Sequence, residues 1–177
     1  MGGIETVLAK YDMTKTANAQ VTLTDEALRA IYKDIAQRPH IEACGVLLGT
    51  LDEQNNWHVA QVQPLRNTFS SPVYFEFDPE ELLMVELANP EQIVGVYHSH
   101  PTGFARASHT DRENMQRVNQ QQHIPWVWLI ICGPFHEGFE QQCLEKSITT
   151  SMIAYHHYDR DGLCKVHIQL EQVQLEK

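Results

Sequence analysis

Apolar and polar positions follow two different rhythms along this chain of 177 residues. From Thr24 the rhythm is helical. Ala27, Leu28, Ile31, Tyr32 and Ile35 recur at spacings of three and four, which places them on one face of a helix. Thr24 is suited to cap its start, Asp25 and Glu26 set negative charge against the helix dipole, and Pro39 ends it. The second half of 41–50 is instead unbroken (Gly45-Val46-Leu47-Leu48-Gly49), the pattern of a central strand buried on both faces. A turn at 52–56 and strand-like residues at 57–63 predict a hairpin.

Residues 64–79 read as irregular, with Asn67, Ser70, Ser71 and Pro72 as turn formers and 73–77 as a short extended piece. Asp78 as N-cap with Pro79 in the first helical position starts a second helix, whose apolar face is expected from Leu82, Leu83, Val85 and Leu87 and which Asn89-Pro90 ends. A buried strand follows at 93–98, then a third helix from Ser108 to about residue 122, then another buried strand at 126–132. Gly133-Pro134 turns the chain into three strand-like runs at 138–145, 149–158 and 163–173, with Asp161-Gly162 as a tight turn between the last two. Residues 1–20 show no period and read as a leader; 21–177 read as a single domain, without repeats or a dividing linker. Helices interleave with strands early and strands dominate late, which predicts an α/β fold with a single mixed central β-sheet flanked by helices.

Chemistry gathers where the 93–98 strand ends. His98 and His100 lie two apart, a spacing that on a strand points both imidazoles to the same face. Asp111 lies beyond a loop, on the third helix, and can fold back as a third ligand. Zinc in a catalytic role takes three protein ligands and keeps a fourth position open, so His98, His100 and Asp111 are the expected metal ligands. A hydrolase of this kind also needs a base to move a proton from water to the leaving group. Glu42, at the mouth of the 41–50 strand, is the candidate, provided that strand neighbours the one carrying the histidines. Ser108 is placed to hydrogen-bond a developing oxyanion. The same Ser-x-x-Asp spacing also forms a helix capping box, and the two roles are compatible. His109, His123, His136, His156, His157 and His167 lack ligand spacing and read as surface or strand residues, and Trp57, Trp126 and Trp128 as core or sheet-face residues.

Composition narrows the function classes. A formal net charge of -10 argues against a nucleic-acid partner, which needs a basic footprint. No apolar run approaches the roughly 18 residues that span a membrane. Glu5, Lys10, Asp12 and Lys15 interrupt the first twenty residues, so no secretory signal is expected. Cys44, Cys132, Cys143 and Cys164 form no C-x-x-C pair and read as reduced thiols, which points to a cytoplasmic protein. Cys44 lacks a histidine context that would make it a nucleophile. The Pro-Cys-x-x-Cys that must accompany His-x-Glu in the zinc deaminase signature is absent.

Taken together, Glu42 ahead of Gly45-Val46-Leu47-Leu48-Gly49, His98-x-His100-Pro101 and, with seven residues between it and His100, Ser108-x-x-Asp111 resemble the JAMM (MPN-plus) metallopeptidases. The resemblance covers roughly 21–134 and, more loosely, the C-terminal strands. It implies the JAMM/MPN, cytidine deaminase-like architecture and one catalytic Zn2+ held by His98, His100 and Asp111. It further implies Glu42 as general base, Ser108 at the oxyanion, and hydrolysis of the amide or isopeptide bond after the C-terminal Gly-Gly of a ubiquitin-like protein. The segment from Arg66-Asn67-Thr68 to Asp78-Pro79 is similar to that of the compact bacterial and archaeal members. Some of those process ubiquitin-like sulfur carriers; others act in ubiquitin-like conjugation systems. A Gly-Gly tail is narrow and suits an extended groove beside a sheet edge. The 73–77 piece, with Phe75 at its centre, is the expected edge, and Phe104 and Arg106 the expected groove lining. The competing reading is a non-catalytic MPN-type scaffold that binds a ubiquitin-like or conjugation-system partner; the complete ligand set argues against it. Which modifier is bound, and whether the active form is a homodimer, are left open by the sequence.

Overall fold

A computed structural model describes residues 19–145 and 151–171, so the expected leader at 1–20 lies almost wholly outside the described residues. The first described strand, β1 (Gln20–Leu23), runs straight into Thr24, whose Oγ1 accepts from the Ala27 N–H at 3.1 Å and opens α1 (Asp25–Gln37). The helix buries Ala27, Leu28, Ile31, Tyr32 and Ile35, the face expected from their spacing, and Asp34 with them.

β2 (Cys44–Leu51) and β3 (Trp57–Leu65) form the expected antiparallel hairpin. Then come α2 (Pro79–Ala88), capped by Asp78, β4 (Ile93–His100), α3 (His109–Met115), β5 (Val127–Cys132), α4 (Phe139–Glu145), β6 (Met152–Tyr158) and β7 (Gly162–Leu170). The strands form one mixed sheet in the order β1-β3-β2-β4-β5-β6-β7, and β1 pairs in parallel with both β3 and β7, so the sheet closes into a barrel. The mixed sheet with helices is as expected; its closure is not, because it depends on a strand of only four residues.

Two apolar clusters fill the fold, one on each face of the central strands. Along β5, Val127, Leu129 and Ile131 join the cluster under α1 and α4, while Trp128 and Ile130 join the one under α3. The same two-residue period runs along β4 beyond the irregularity at Ile93–Gly95: Tyr97 packs on the α1 side and Val96 on the α3 side. His98 and His100 share the parity of Val96 and therefore face α3.

Several expectations are corrected. The 138–145 run is the helix α4, not a strand. Phe139 and Cys143 are one helical turn apart, both belong to the cluster under α1, and the Phe139 ring meets Tyr32 edge-on at 5.7 Å. In α2 only Leu82 and Val85 of the expected apolar face pack inward. Leu83 and Leu87, one turn apart on the other side, stay exposed beside Met84. The third helix is α-helical only to Met115 and then widens into a π-helical segment, Gln116–Gln121. That widening buries Asn119, whose Nδ2 donates to the Ile124 and Trp126 carbonyls while its Oδ1 accepts from Trp128 Nε1–H and the His157 N–H. The 73–77 piece makes no ladder; only Phe77 forms an isolated bridge, to Asn67. All four cysteines are free. Among the described residues, no helix is long and apolar enough to cross a membrane.

His156 on β6 is buried with its ring between Trp57 and Tyr158 (centroids 5.2 and 4.6 Å), and its Nδ1–H donates to the Trp126 carbonyl at 2.8 Å. Burial pushes its imidazole down to about 4 from the ordinary 6.5. The unfolded chain therefore takes up a proton near 6.5 that the folded protein refuses until about 4. Its contribution is complete above the upper value and is lost as pH falls through that window, by up to about 3 kcal/mol. Urea unfolding at each end of the window is expected to show a smaller acid loss in His156→Phe than in the parent protein; equal losses would contradict this account.

Candidate active site

β2 pairs antiparallel with β4, and Cys44 is the register partner of His98. This pairing sets the start of β2 beside the end of β4, the adjacency that the role expected of Glu42 requires. Past the ladder, the Ser99 N–H donates to the Ala43 carbonyl at 2.9 Å and the Ala43 N–H donates to Ser99 Oγ at 2.9 Å, so the segment leading to Glu42 is stitched to the residue between the two histidines.

A partly buried ion pair braces this junction from the α1 side. The Arg38 guanidinium holds the Asp34 carboxylate through both oxygens (2.9 and 2.8 Å) and donates to the Leu65 and Cys44 carbonyls (2.8 and 2.7 Å). The Tyr97 hydroxyl donates to the same carboxylate at 2.8 Å. To reach it, the Tyr97 ring crosses Gly45, where a Cβ would come within 2.6 Å of the ring, so only glycine fits. The brace was not anticipated from the sequence. Its visible traces are the Asp34/Arg38 spacing of one helical turn and a tyrosine within an otherwise apolar strand.

On the α3 side, His98, His100 and Asp111 converge and are all buried. The two Nε2 atoms lie 3.1 Å apart; Asp111 Oδ1 lies 3.2 Å from His98 Nε2, and Asp111 Oδ2 lies 3.3 Å from His100 Nε2. Ligands about 2.0–2.1 Å from a tetrahedral ion stand roughly 3.3 Å apart, so this donor set fits zinc. The His100 Nδ1–H donates to the Phe104 carbonyl at 2.7 Å. A carbonyl only accepts, so in the neutral imidazole the lone pair is on Nε2, facing the other donors. His98 Nδ1 has no hydrogen-bond partner among the described residues.

Asp111 is aimed by a capping box at the start of α3. Ser108 Oγ accepts from the Asp111 N–H at 3.1 Å, and the Ser108 N–H donates to Asp111 Oδ2 at 2.7 Å. Burial alone would raise this carboxyl, but the contacts from His100, His98 and Ser108 outweigh it and hold Asp111 well below the usual carboxylate range. Glu42 Oε1 stands 4.0 Å from His100 Nε2, too far for a hydrogen bond and near enough to reach a small molecule held between them. Burial lifts the Glu42 carboxyl to about 7, with His100 opposing and Asp111 adding to the rise.

The expected substrate-side residues are placed differently from one another. Phe75 stacks on His98, with ring centroids 4.6 Å apart and planes at 28°. Phe104 is exposed at the rim and carries the Arg106 guanidinium 5.0 Å from its ring centre. The 73–77 segment is not a sheet edge. Every strand of the closed sheet has two neighbours, although β1 covers only Trp57, His58 and Val59 of β3. Asn67, read from the sequence only as a turn former, is buried against the Glu42 backbone, its Nδ2 donating to the Glu42 carbonyl at 3.1 Å.

Comparison with known proteins agrees with this geometry. The family described as prokaryotic homologs of the JAB domain matches residues 24–144. A desampylase of Pyrococcus furiosus is 39% identical over 107 residues, 59% of this chain and 68% of that protein. A desampylase of Haloferax volcanii is 38% identical over 115 residues, 62% of this chain and 75% of that protein. A Desulfitobacterium hafniense protein of known solution structure superposes with a TM-score of 0.62 at 25% identity, covering 86% of this chain and 94% of the other. The matched segment carries the whole cluster from Glu42 to Asp111, and the chain belongs to the JAB family as a compact prokaryotic member of the JAMM/MPN group.

Proposed function

We propose that this protein is a zinc-dependent peptidase or isopeptidase that hydrolyses the amide bond following the C-terminal Gly-Gly of a ubiquitin-like protein. The observation that carries the reading is the buried convergence of His98, His100 and Asp111 with Glu42 4.0 Å away. The two relatives named desampylase support an enzyme over a scaffold. The catalytic domain is read as 21–177, and the modifier as a sulfur carrier or a conjugated tag.

His98, His100 and Asp111 would hold the ion. Zinc bound there supplies Lewis-acid chemistry: it polarises a carbonyl and brings the pKa of water from about 15.7 to near 7. Glu42 takes a proton from the attacking water as the water oxygen bonds to the scissile carbonyl carbon. It returns that proton to the nitrogen as the C–N bond breaks, so the products are an amine and a carboxylic acid that then gives up its remaining proton to the amine or to solvent. Burial lifts this carboxyl in the metal-free protein, and the positive charge of a bound ion would lower it again. Ser108 Oγ accepts from the Asp111 N–H, which leaves its own hydroxyl proton to donate to the oxyanion. Phe104 and Arg106 flank the entrance, and Phe75 lies over His98, where a narrow tail would pass.

Protein purified without chelator is expected to carry about one zinc per chain, with His98→Ala and Asp111→Ala losing it. Absence of bound metal from the parent protein would favour the scaffold reading. Glu42→Ala is expected to keep its zinc and to lose about 10²-fold or more in cleavage of a fusion to a Gly-Gly-ending ubiquitin-like domain. Full cleavage by that variant would sink the mechanism.

A further inference from the structure

Glu42 precedes the first residue of β2, so its own peptide groups fall outside the sheet ladder. The 67–77 loop takes both of them. The Glu42 N–H donates to the Ser71 carbonyl at 2.8 Å, and the Glu42 carbonyl accepts from Asn67 Nδ2 at 3.1 Å. The same Nδ2 donates to the Tyr74 carbonyl at 2.9 Å, while Asn67 Oδ1 accepts from the Phe69 N–H at 3.1 Å and the Glu76 N–H at 3.3 Å. A primary amide has two N–H donors and two acceptor lone pairs. Asn67, only 2% exposed, therefore has its whole capacity engaged inside the protein.

Three of those bonds shape the loop and the fourth holds the backbone of the candidate base. Two of the three fall on Tyr74 and Glu76, the residues either side of Phe75, whose ring stacks on His98. One buried side chain thus fixes two parts of the centre that come from different segments: the peptide that carries Glu42 and the ring that covers His98. Neither part is held by the β2–β4 ladder, which begins at Cys44.

We propose that Asn67 is a positioning residue for hydrolysis. Its amide locks the Glu42 peptide and the Phe75-bearing loop into one unit, which keeps the carboxylate at a fixed distance from the metal ligands through turnover. Asn67 touches neither substrate nor metal; it acts through Glu42. The proposal rests on Glu42 being the general base.

The test is single-turnover and steady-state cleavage of the fusion substrate by the parent protein, Asn67→Ala, Asn67→Asp, Glu42→Gln and the Glu42→Gln/Asn67→Ala double variant, with zinc content and thermal unfolding measured for each. Asn67→Asp preserves size and the acceptors for the Phe69 and Glu76 N–H groups but, as a carboxylate, offers no donor to the Glu42 carbonyl. Both Asn67 variants are expected to bind zinc at the parent stoichiometry and to lose roughly 10- to 100-fold in kcat, with KM changed by less than about threefold, the scale set by a small misplacement of a reacting group. In the Glu42→Gln background, loss of Asn67 is expected to cost nothing further, because its effect passes through the missing carboxylate.

Parent-like kcat in both Asn67 variants overturns the proposal, as does an equal loss in the Glu42→Gln background, or a loss of zinc that accounts for the loss of activity. Failure of both Asn67 variants to fold assigns the residue to fold stability and overturns it too. Full activity in Glu42→Gln is a separate outcome: it removes the base assignment and the positioning role with it, whereas an inactive Glu42→Gln beside active Asn67 variants removes the positioning role alone.

Discussion

The antiparallel pairing of β2 with β4, in the register that sets Cys44 opposite His98, is the constraint on which the candidate centre depends. A slip of one residue would turn the side chains of β2 to the opposite face relative to β4 and carry Glu42 away from the histidines. The fold resists such a slip from both faces. On one, Val46 and Leu48 pack in the cluster beneath α3; on the other, the Tyr97 ring fits only over Gly45 and ends on the Asp34–Arg38 pair. Arg38 then fixes the two carbonyls at the root of the hairpin, Cys44 and Leu65.

Burying His98, His100, Asp111 and Glu42 together is costly unless each is paired or changes its protonation. The structure meets that cost in different ways for the two acids. Asp111 accepts from the Ser108 N–H and faces both imidazoles, and these contacts hold its carboxyl well below the usual carboxylate range. Glu42 has no such donor set, and burial lifts it towards neutrality. Two carboxyl groups in one centre are thereby driven apart in proton affinity, the arrangement expected where one acid binds and the other exchanges protons. The brace under β4 and the loop bonded through Asn67 keep those environments distinct: the Asp111 carboxylate is held by the Ser108 N–H, and the Glu42 peptide by Ser71 and Asn67.

The chemistry of this chain was more legible in its sequence than the geometry that serves it. His98 and His100 could be set on one face because a strand has a period of two, and Asp111 could be aimed because Ser-x-x-Asp caps a helix. The proximity of Glu42 was not derivable from spacing, since strand pairing joins residues far apart in the chain. Barrel closure was hidden in Gln20–Leu23, too short to give a periodic signal. The 138–145 run has only Phe139, Cys143 and Leu144 as apolar positions, too few in so short a stretch for their period to separate a strand from a helix. The 73–77 piece has the aromatic composition of a strand, but Asn67, Thr68 and Ser71 occupy its neighbourhood with turn-like hydrogen bonds that leave no ladder to join. The exposure of Leu83 and Leu87 is not legible in the sequence because α2 is apolar on more than one side.

The central claim is that β4 and α3 together present a zinc ligand set of two imidazoles and one carboxylate. X-ray absorption at the zinc edge, on protein purified without chelator, tests it most directly. The account predicts about one zinc per chain in a shell of nitrogen and oxygen ligands near 2.0–2.1 Å, with an imidazole scattering pattern that is lost in His98→Ala and retained in Glu42→Ala. A shell containing sulfur near 2.3 Å, or protein that binds no zinc when the metal is supplied, would contradict it.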